Sequence, residues 1–138
     1  MRRLTAYLFF TLTMVALQVV ALSLRARAAE TIPIFYHRIC CRIMGVQVAT
    51  AGRPSADRPT LFVSNHLSYL DIEVLGSLLR GSFVAKAEVA GWPLFGLLAR
   101  LQRTVFVDRK VGSTHVQRDS LKSRLEAGDS LILFPEGT

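Results

Sequence analysis

Residues 4–24 contain no charged side chain. The run is 21 residues long. As a helix rising ~1.5 Å per residue it would reach about 31 Å, the thickness of a bilayer core. Arg2 and Arg3 precede it, and Arg25 and Arg27 follow it. A signal peptide has a shorter apolar region, although Ala26-Arg27-Ala28 imitates a small-residue cleavage site. The run therefore reads as an uncleaved membrane anchor rather than a leader or a core helix. Arg25, Arg27, Arg38 and Arg42 on its C-terminal side outnumber Arg2 and Arg3. The positive-inside rule then places the body of the protein in the cytoplasm.

Beyond residue 30 the pattern changes character. Residues 31–44 predict an amphipathic helix, with Thr31 as N-cap and Pro33 in the first turn. Ile32, Phe35, Ile39 and Ile43 recur at helical spacing, which leaves His37, Arg38 and Arg42 for the surface. Such a helix suits a headgroup region or ordinary core packing equally. Residues 51–59 (AGRPSADRP) are a turn-rich link.

Strand and helix patterns then alternate. Short apolar runs at 60–64, 82–86, 104–108 and 130–134 suit buried strands. Between them, 69–80 reads as a helix stopped by Gly81. Residues 93–101 read as an apolar helix opened by Trp92-Pro93. Residues 113–127 read as an amphipathic helix carrying Val116, Leu121 and Leu125 and closed by Gly128. This alternation predicts an α/β domain with a largely parallel sheet. Function in such sheets gathers beyond the carboxyl ends of the strands.

Composition narrows the classes. The 138 residues are 51% hydrophobic, which excludes a disordered or collagen-like chain. The formal charge is +7, but Arg2, Arg3, Arg25 and Arg27 flank the apolar run, so the body is only mildly basic. Its basic residues are scattered without aromatic interleaving, which argues against nucleic-acid binding. The two cysteines, Cys40 and Cys41, are adjacent, giving neither a disulfide framework nor a metal-binding spacing.

Three segments follow predicted strands. The first is Asn65-His66-Leu67-Ser68-Tyr69-Leu70-Asp71. With His66 in the turn and Asp71 in the first helical turn, the carboxylate can fix the imidazole tautomer, and the other ring nitrogen can take a proton. Ser68-x-x-Asp71 is equally an N-terminal capping box, and the spacing alone leaves both readings open. His37 and His115 have no acid five residues on and read as surface or helix histidines. The second segment is Thr104-Val-Phe-Val-Asp108-Arg109-Lys110. The Arg109 guanidinium suits a phosphate, or it is one of a solvated charge cluster. The third is Leu133-Phe-Pro135-Glu136-Gly137-Thr138. Backbone N–H groups and a hydroxyl there can cradle an anion, or form a plain turn.

Together these segments resemble the glycerolipid acyltransferases of the lysophosphatidic acid acyltransferase family. The first family block, N-H-x-S-x-x-D, is matched at Asn65, His66, Ser68 and Asp71. The second, an apolar strand ending near an arginine, is matched by VFVDR with Arg109. The third, F-P-E-G-T, is matched without change over 134–138. The resemblance covers the chain from about residue 34 to its end, and a single N-terminal anchor fits many bacterial members.

The resemblance implies acyl transfer from acyl-carrier protein or coenzyme A to the free hydroxyl of a lysolipid, in a bacterial inner membrane with the catalytic domain in the cytoplasm. His66 would remove the hydroxyl proton and Asp71 would orient His66, with no covalent acyl-enzyme. Arg109, Glu136 and Gly137 would hold the phosphate region of the acceptor. Glu136 would act there by pairing with a base or shaping the loop. Asn65, Ser68 and Thr138 complete the matched substrate-binding positions. No metal or tightly bound cofactor is implied; the acyl thioester is a co-substrate. Lysophosphatidic acid is the first expectation for the acceptor and lyso-ornithine lipid the alternative.

Family members continue past the third block to a fourth, proline-containing one. The expected organisation is therefore an anchor over 4–24 and an acyltransferase domain over 31–138 that breaks off after the third block, an N-terminal fragment. Two rival readings remain. One is a membrane-anchored hydrolase with Ser68, Cys40 or Cys41 as nucleophile, although no G-x-S-x-G elbow is present. The other is an inactive, membrane-bound domain that holds anionic lipid through its arginines. Lys86, ending a predicted strand, reads as a solvated lysine rather than a steering charge for an anionic donor.

Overall fold

A computed structural model describes residues 2–108 and 114–135. The chain divides into two compact units, Met1–Pro54 with Leu67–Arg80, and Ser55–His66 with Gly81–Thr138.

The first unit is helical. It contains α1 (Arg2–Ser23), a 3-10 turn (Arg27–Glu30), α2 (Ile32–Met44) and α3 (Leu70–Leu78). α1 is long and apolar enough to cross a membrane. It is not uniform around its circumference. Thr11, Met14, Gln18 and Ala21 form a buried stripe at helical spacing, while Leu4, Leu8, Phe9, Leu12, Leu17, Val19 and Val20 stay exposed. The polar members of the stripe have partners. The Thr11 hydroxyl lies 3.2 Å from the Tyr36 hydroxyl, and Gln18 Nε2 donates to the Ala29 carbonyl at 3.0 Å. Met14, Tyr36 and Cys40 form the core of this unit, with Tyr7, Phe10, Ile32 and Met44 packed on it.

α2 departs from its predicted orientation. Its buried residues are Tyr36, His37, Cys40 and Cys41, whereas Phe35 is 53% exposed. His37, expected at the surface, is 2% exposed. Its Nδ1 lies 2.7 Å from Glu73 Oε2 on α3, a partner no local pattern discloses. His115 is exposed, as expected. Thr31 does not cap α2; its hydroxyl donates to the Ala28 carbonyl at 3.1 Å and closes the preceding 3-10 turn instead.

The second unit carries a four-stranded sheet. Its strands are β1 (Leu61–Val63), β2 (Ser82–Lys86), β3 (Val105–Val107) and β4 (Leu131–Leu133), in the order β1-β4-β2-β3. Every pairing is parallel, as the alternation of patterns predicts. Val84, Val105 and Leu131 form its core, with Leu121 and Leu125 of α5 (Thr114–Glu126) packed against them. Gly128 closes α5 with φ +87°, a conformation that favours glycine.

Two predicted boundaries move. α3 ends at Leu78, three residues before Gly81, because Leu79 is already extended. α4 (Phe95–Leu101) does not open at Trp92-Pro93: a 3-10 turn over Ala87–Gly91 comes first, and Leu94 sits at φ 61°.

Candidate active site

Because all four strands are parallel, their carboxyl ends share one edge of the sheet. The strand order makes β1 and β4 neighbours, with Val63 opposite Leu133. The Ser64 N–H donates to the Leu133 carbonyl at 3.1 Å, extending the pairing one residue past the strand. The Asn-His segment and the Phe-Pro segment therefore leave the sheet side by side.

They meet. The His66 ring stacks on Phe134, with centroids 4.4 Å apart and planes 28° from parallel. Phe134 is buried and stacks in turn on Phe83 at 6.1 Å. An aromatic pair thus backs the imidazole and limits its movement. Asn65 is exposed beside it.

Asp71 lies in the first turn of α3. Its Oδ2 accepts the Leu67 N–H at 2.7 Å and the Ser68 N–H at 2.8 Å. The Ser68 hydroxyl oxygen accepts the Leu70 N–H at 3.2 Å. The capping arrangement is therefore formed, and it also holds the carboxylate in one place. The boundary between the two units falls between His66 and Leu67.

The other segments reach the same edge from further along the sheet. β3 ends at Val107, in register with Lys86 at the end of β2. Lys86 thus stands at the strand end between β4 and β3, a placement that only the strand order discloses. It forms no ion pair among the described residues. Arg109, Glu136, Gly137 and Thr138 lie outside the described residues.

The cysteines do not supply a nucleophile. Both are buried, and burial pushes the Cys40 thiol up to about 12, with the Glu73 carboxylate adding to the shift. The Cys41 thiol is raised in the same direction, again chiefly by burial. Neither is a thiolate near neutral pH. Among the described residues, no group of three or more histidine, cysteine or acidic side chains is arranged to hold a metal.

Residues 45–138 match the family model described as Acyltransferase. The chain belongs to the acyltransferase family. Among acyltransferases of this family, it is 42% identical to the lyso-ornithine lipid O-acyltransferase of Brucella abortus (strain 2308), over 96% of this chain and 50% of that one. It is 32% identical to the 1-acyl-sn-glycerol-3-phosphate acyltransferase of Neisseria gonorrhoeae, over 62% of this chain and 34% of that one. Among solved acyltransferase structures, it matches the 1-acyl-sn-glycerophosphate (LPA) acyltransferase PlsC of Thermotoga maritima. The TM-score is 0.64 at 27% identity, covering 99% of this chain and 61% of that one. The chain spans about half the length of curated relatives it matches.

Proposed function

We propose that this chain belongs to an enzyme that moves an acyl group from an acyl-carrier-protein or coenzyme A thioester to the free hydroxyl of a lysolipid, with lyso-ornithine lipid as the acceptor. The observation that carries the reading is the stack of His66 on Phe134, which joins the first and third family blocks at the carboxyl edge of the sheet. The acceptor follows from the 42% identity to an enzyme of that name.

In this reading His66 takes the proton of the acceptor hydroxyl as its oxygen attacks the thioester carbonyl. The tetrahedral intermediate collapses, the carbon–sulfur bond breaks, and the proton passes to the leaving thiolate. Asp71 orients the imidazole and stabilises its protonated form. Its carboxylate is suited to that role because two backbone amides already fix it. Arg109, with Glu136, Gly137 and Thr138 shaping the loop, holds the acceptor headgroup, and Asn65 and Ser68 complete the first block's contribution. Lys86 joins them as a second cation at that edge. An ornithine headgroup offers these cations a carboxylate where lysophosphatidic acid offers a phosphate.

The same reading anchors the protein in a bilayer through α1, with the exposed apolar side chains of that helix against lipid and the arginines after it on the cytoplasmic side. No metal or tightly bound cofactor takes part.

A second reading, lysophosphatidic acid as acceptor, is favoured by the likeness to PlsC. Membranes containing the full-length enzyme, given a labelled acyl thioester and each lysolipid separately, distinguish the two. Faster formation of labelled ornithine lipid is expected. Faster formation of labelled phosphatidic acid selects the second reading, and release of free fatty acid without either acceptor selects the hydrolase.

A further inference from the structure

We propose that the buried His37–Glu73 pair is a positioning device for the reaction, fixing the first turn of α3 and with it the Asp71 carboxylate. The proposal rests on the reading that Asp71 orients His66.

α3 has nine residues and contains Gly76, so it is too short and too weak a helix to hold its place alone. Its fixed points come from α2. His37 Nδ1 and Glu73 Oε2 are 2.7 Å apart, with the side chains 2% and 16% exposed. One turn on, Gly76 lets the His37 ring lie directly on the α3 backbone. Arg38 Nε donates to the Ser77 carbonyl at 2.9 Å. Glu73 is two residues beyond Asp71, in the same first turn. The turn is therefore tied at one end by Asp71 to the Leu67 and Ser68 amides and at the other by Glu73 to α2. Neither His37 nor Glu73 lies in the strand-end segments that the chemistry uses. Both belong to the same compact unit as Asp71.

A buried pair that only adds stability changes how much enzyme is folded. One that positions Asp71 changes the rate of the folded enzyme. Steady-state transfer to lyso-ornithine lipid by the full-length enzyme separates the two. Glu73→Ala and Glu73→Asp, which shortens the reach by one methylene, are expected to lower kcat by about 10- to 100-fold. KM for the lysolipid should stay within about twofold. Glu73→Gln, whose amide oxygen still accepts a hydrogen bond from the His37 ring, should recover most of the rate. Asp71→Ala combined with Glu73→Ala should be no slower than Asp71→Ala alone, because the second change acts through the first. Amide hydrogen exchange at Leu67 and Ser68 should quicken in Glu73→Asp.

If Glu73→Ala and Glu73→Asp turn over at the parental rate, or if the double variant multiplies the two losses, the proposal is wrong while Asp71 keeps its role. If Glu73→Ala does not fold, Glu73→Asp and its amide exchange decide the matter on the same terms. If Asp71→Ala itself retains the parental rate, the underlying reading falls, and this proposal with it.

Discussion

Gly76 offers a sharp test of how α2 and α3 pack, because two opposing effects meet there. Replacing it by alanine in a helix interior gains about 1 kcal/mol of helix propensity. Against that, the added Cβ would sit 2.7 Å from both Cγ and Nε2 of His37 and closer still to Cδ2. Non-bonded carbons prefer about 3.5–4.0 Å. The ring cannot retreat easily, because it is buried and held to Glu73 at 2.7 Å. Overpacking of this kind costs about 1–3 kcal/mol. If the ring is expelled, the broken hydrogen bond to Glu73 adds about 1–3 kcal/mol. With the ring expelled the steric side wins, and Gly76→Ala should destabilise the protein by about 1–5 kcal/mol net. The assay is denaturant unfolding in one detergent, with Gly91→Ala as control. No atom lies within 4 Å of a Cβ there, so its change should stay within about 0.5 kcal/mol. In a His37→Ala background the cost of Gly76→Ala should shrink or reverse. A Gly76→Ala protein as stable as its parent, or strictly additive effects in the double variant, would refute the packing argument.

Two further outcomes follow from other contacts in the structure. Cys40 and Cys41 should resist alkylation in the folded protein at pH 8. Reactivity of Cys40 should rise only as the pH climbs toward about 12, because its raised folded value keeps the thiol neutral until then. By linkage this neutral thiol favours the folded state below the ordinary thiol value, and that stability is lost as the pH rises through about 12. Labelling at the rate of an unfolded control at pH 8 would contradict the burial. Asp129 accepts Arg124 Nε at 2.7 Å and Arg103 Nη2 at 3.0 Å, closing the turn before β4. Asp129→Ala should cost about 1–3 kcal/mol in urea unfolding, mostly through Arg124, since Arg103 is well exposed and screened. No measurable change would show the cluster to be surface decoration.

Legibility in the sequence followed the range of the interaction. Each strand was readable to within a residue or so, because a continuous apolar run bounded by turn residues is a local signal. The strand at 130–134, for example, forms over Leu131–Leu133. The α2 periodicity misled for the opposite reason. It selects Ile32, Phe35, Ile39 and Ile43, yet the helix turns His37 and Cys40 inward. A histidine can be buried there because Glu73, 36 residues away, receives it. α1 read as an uncharged membrane anchor, and the hydrogen-bond partners of Thr11 and of Gln18 Nε2 lie on later segments. In the candidate site, Asn65, His66, Ser68 and Asp71 were visible as a motif. The contact of His66 with Phe134 was not, since it depends on β4 pairing beside β1 across about half the chain. Lys86 gained its place only from strand order.

The central claim is that His66 is the base for acyl transfer. Its most direct test measures labelled acyl transfer to lyso-ornithine lipid by the full-length enzyme beside His66→Ala, at matched folded protein. The account predicts product from the parent and a loss of about 10²- to 10⁴-fold in the variant. Product formed by His66→Ala at the parental rate would contradict it.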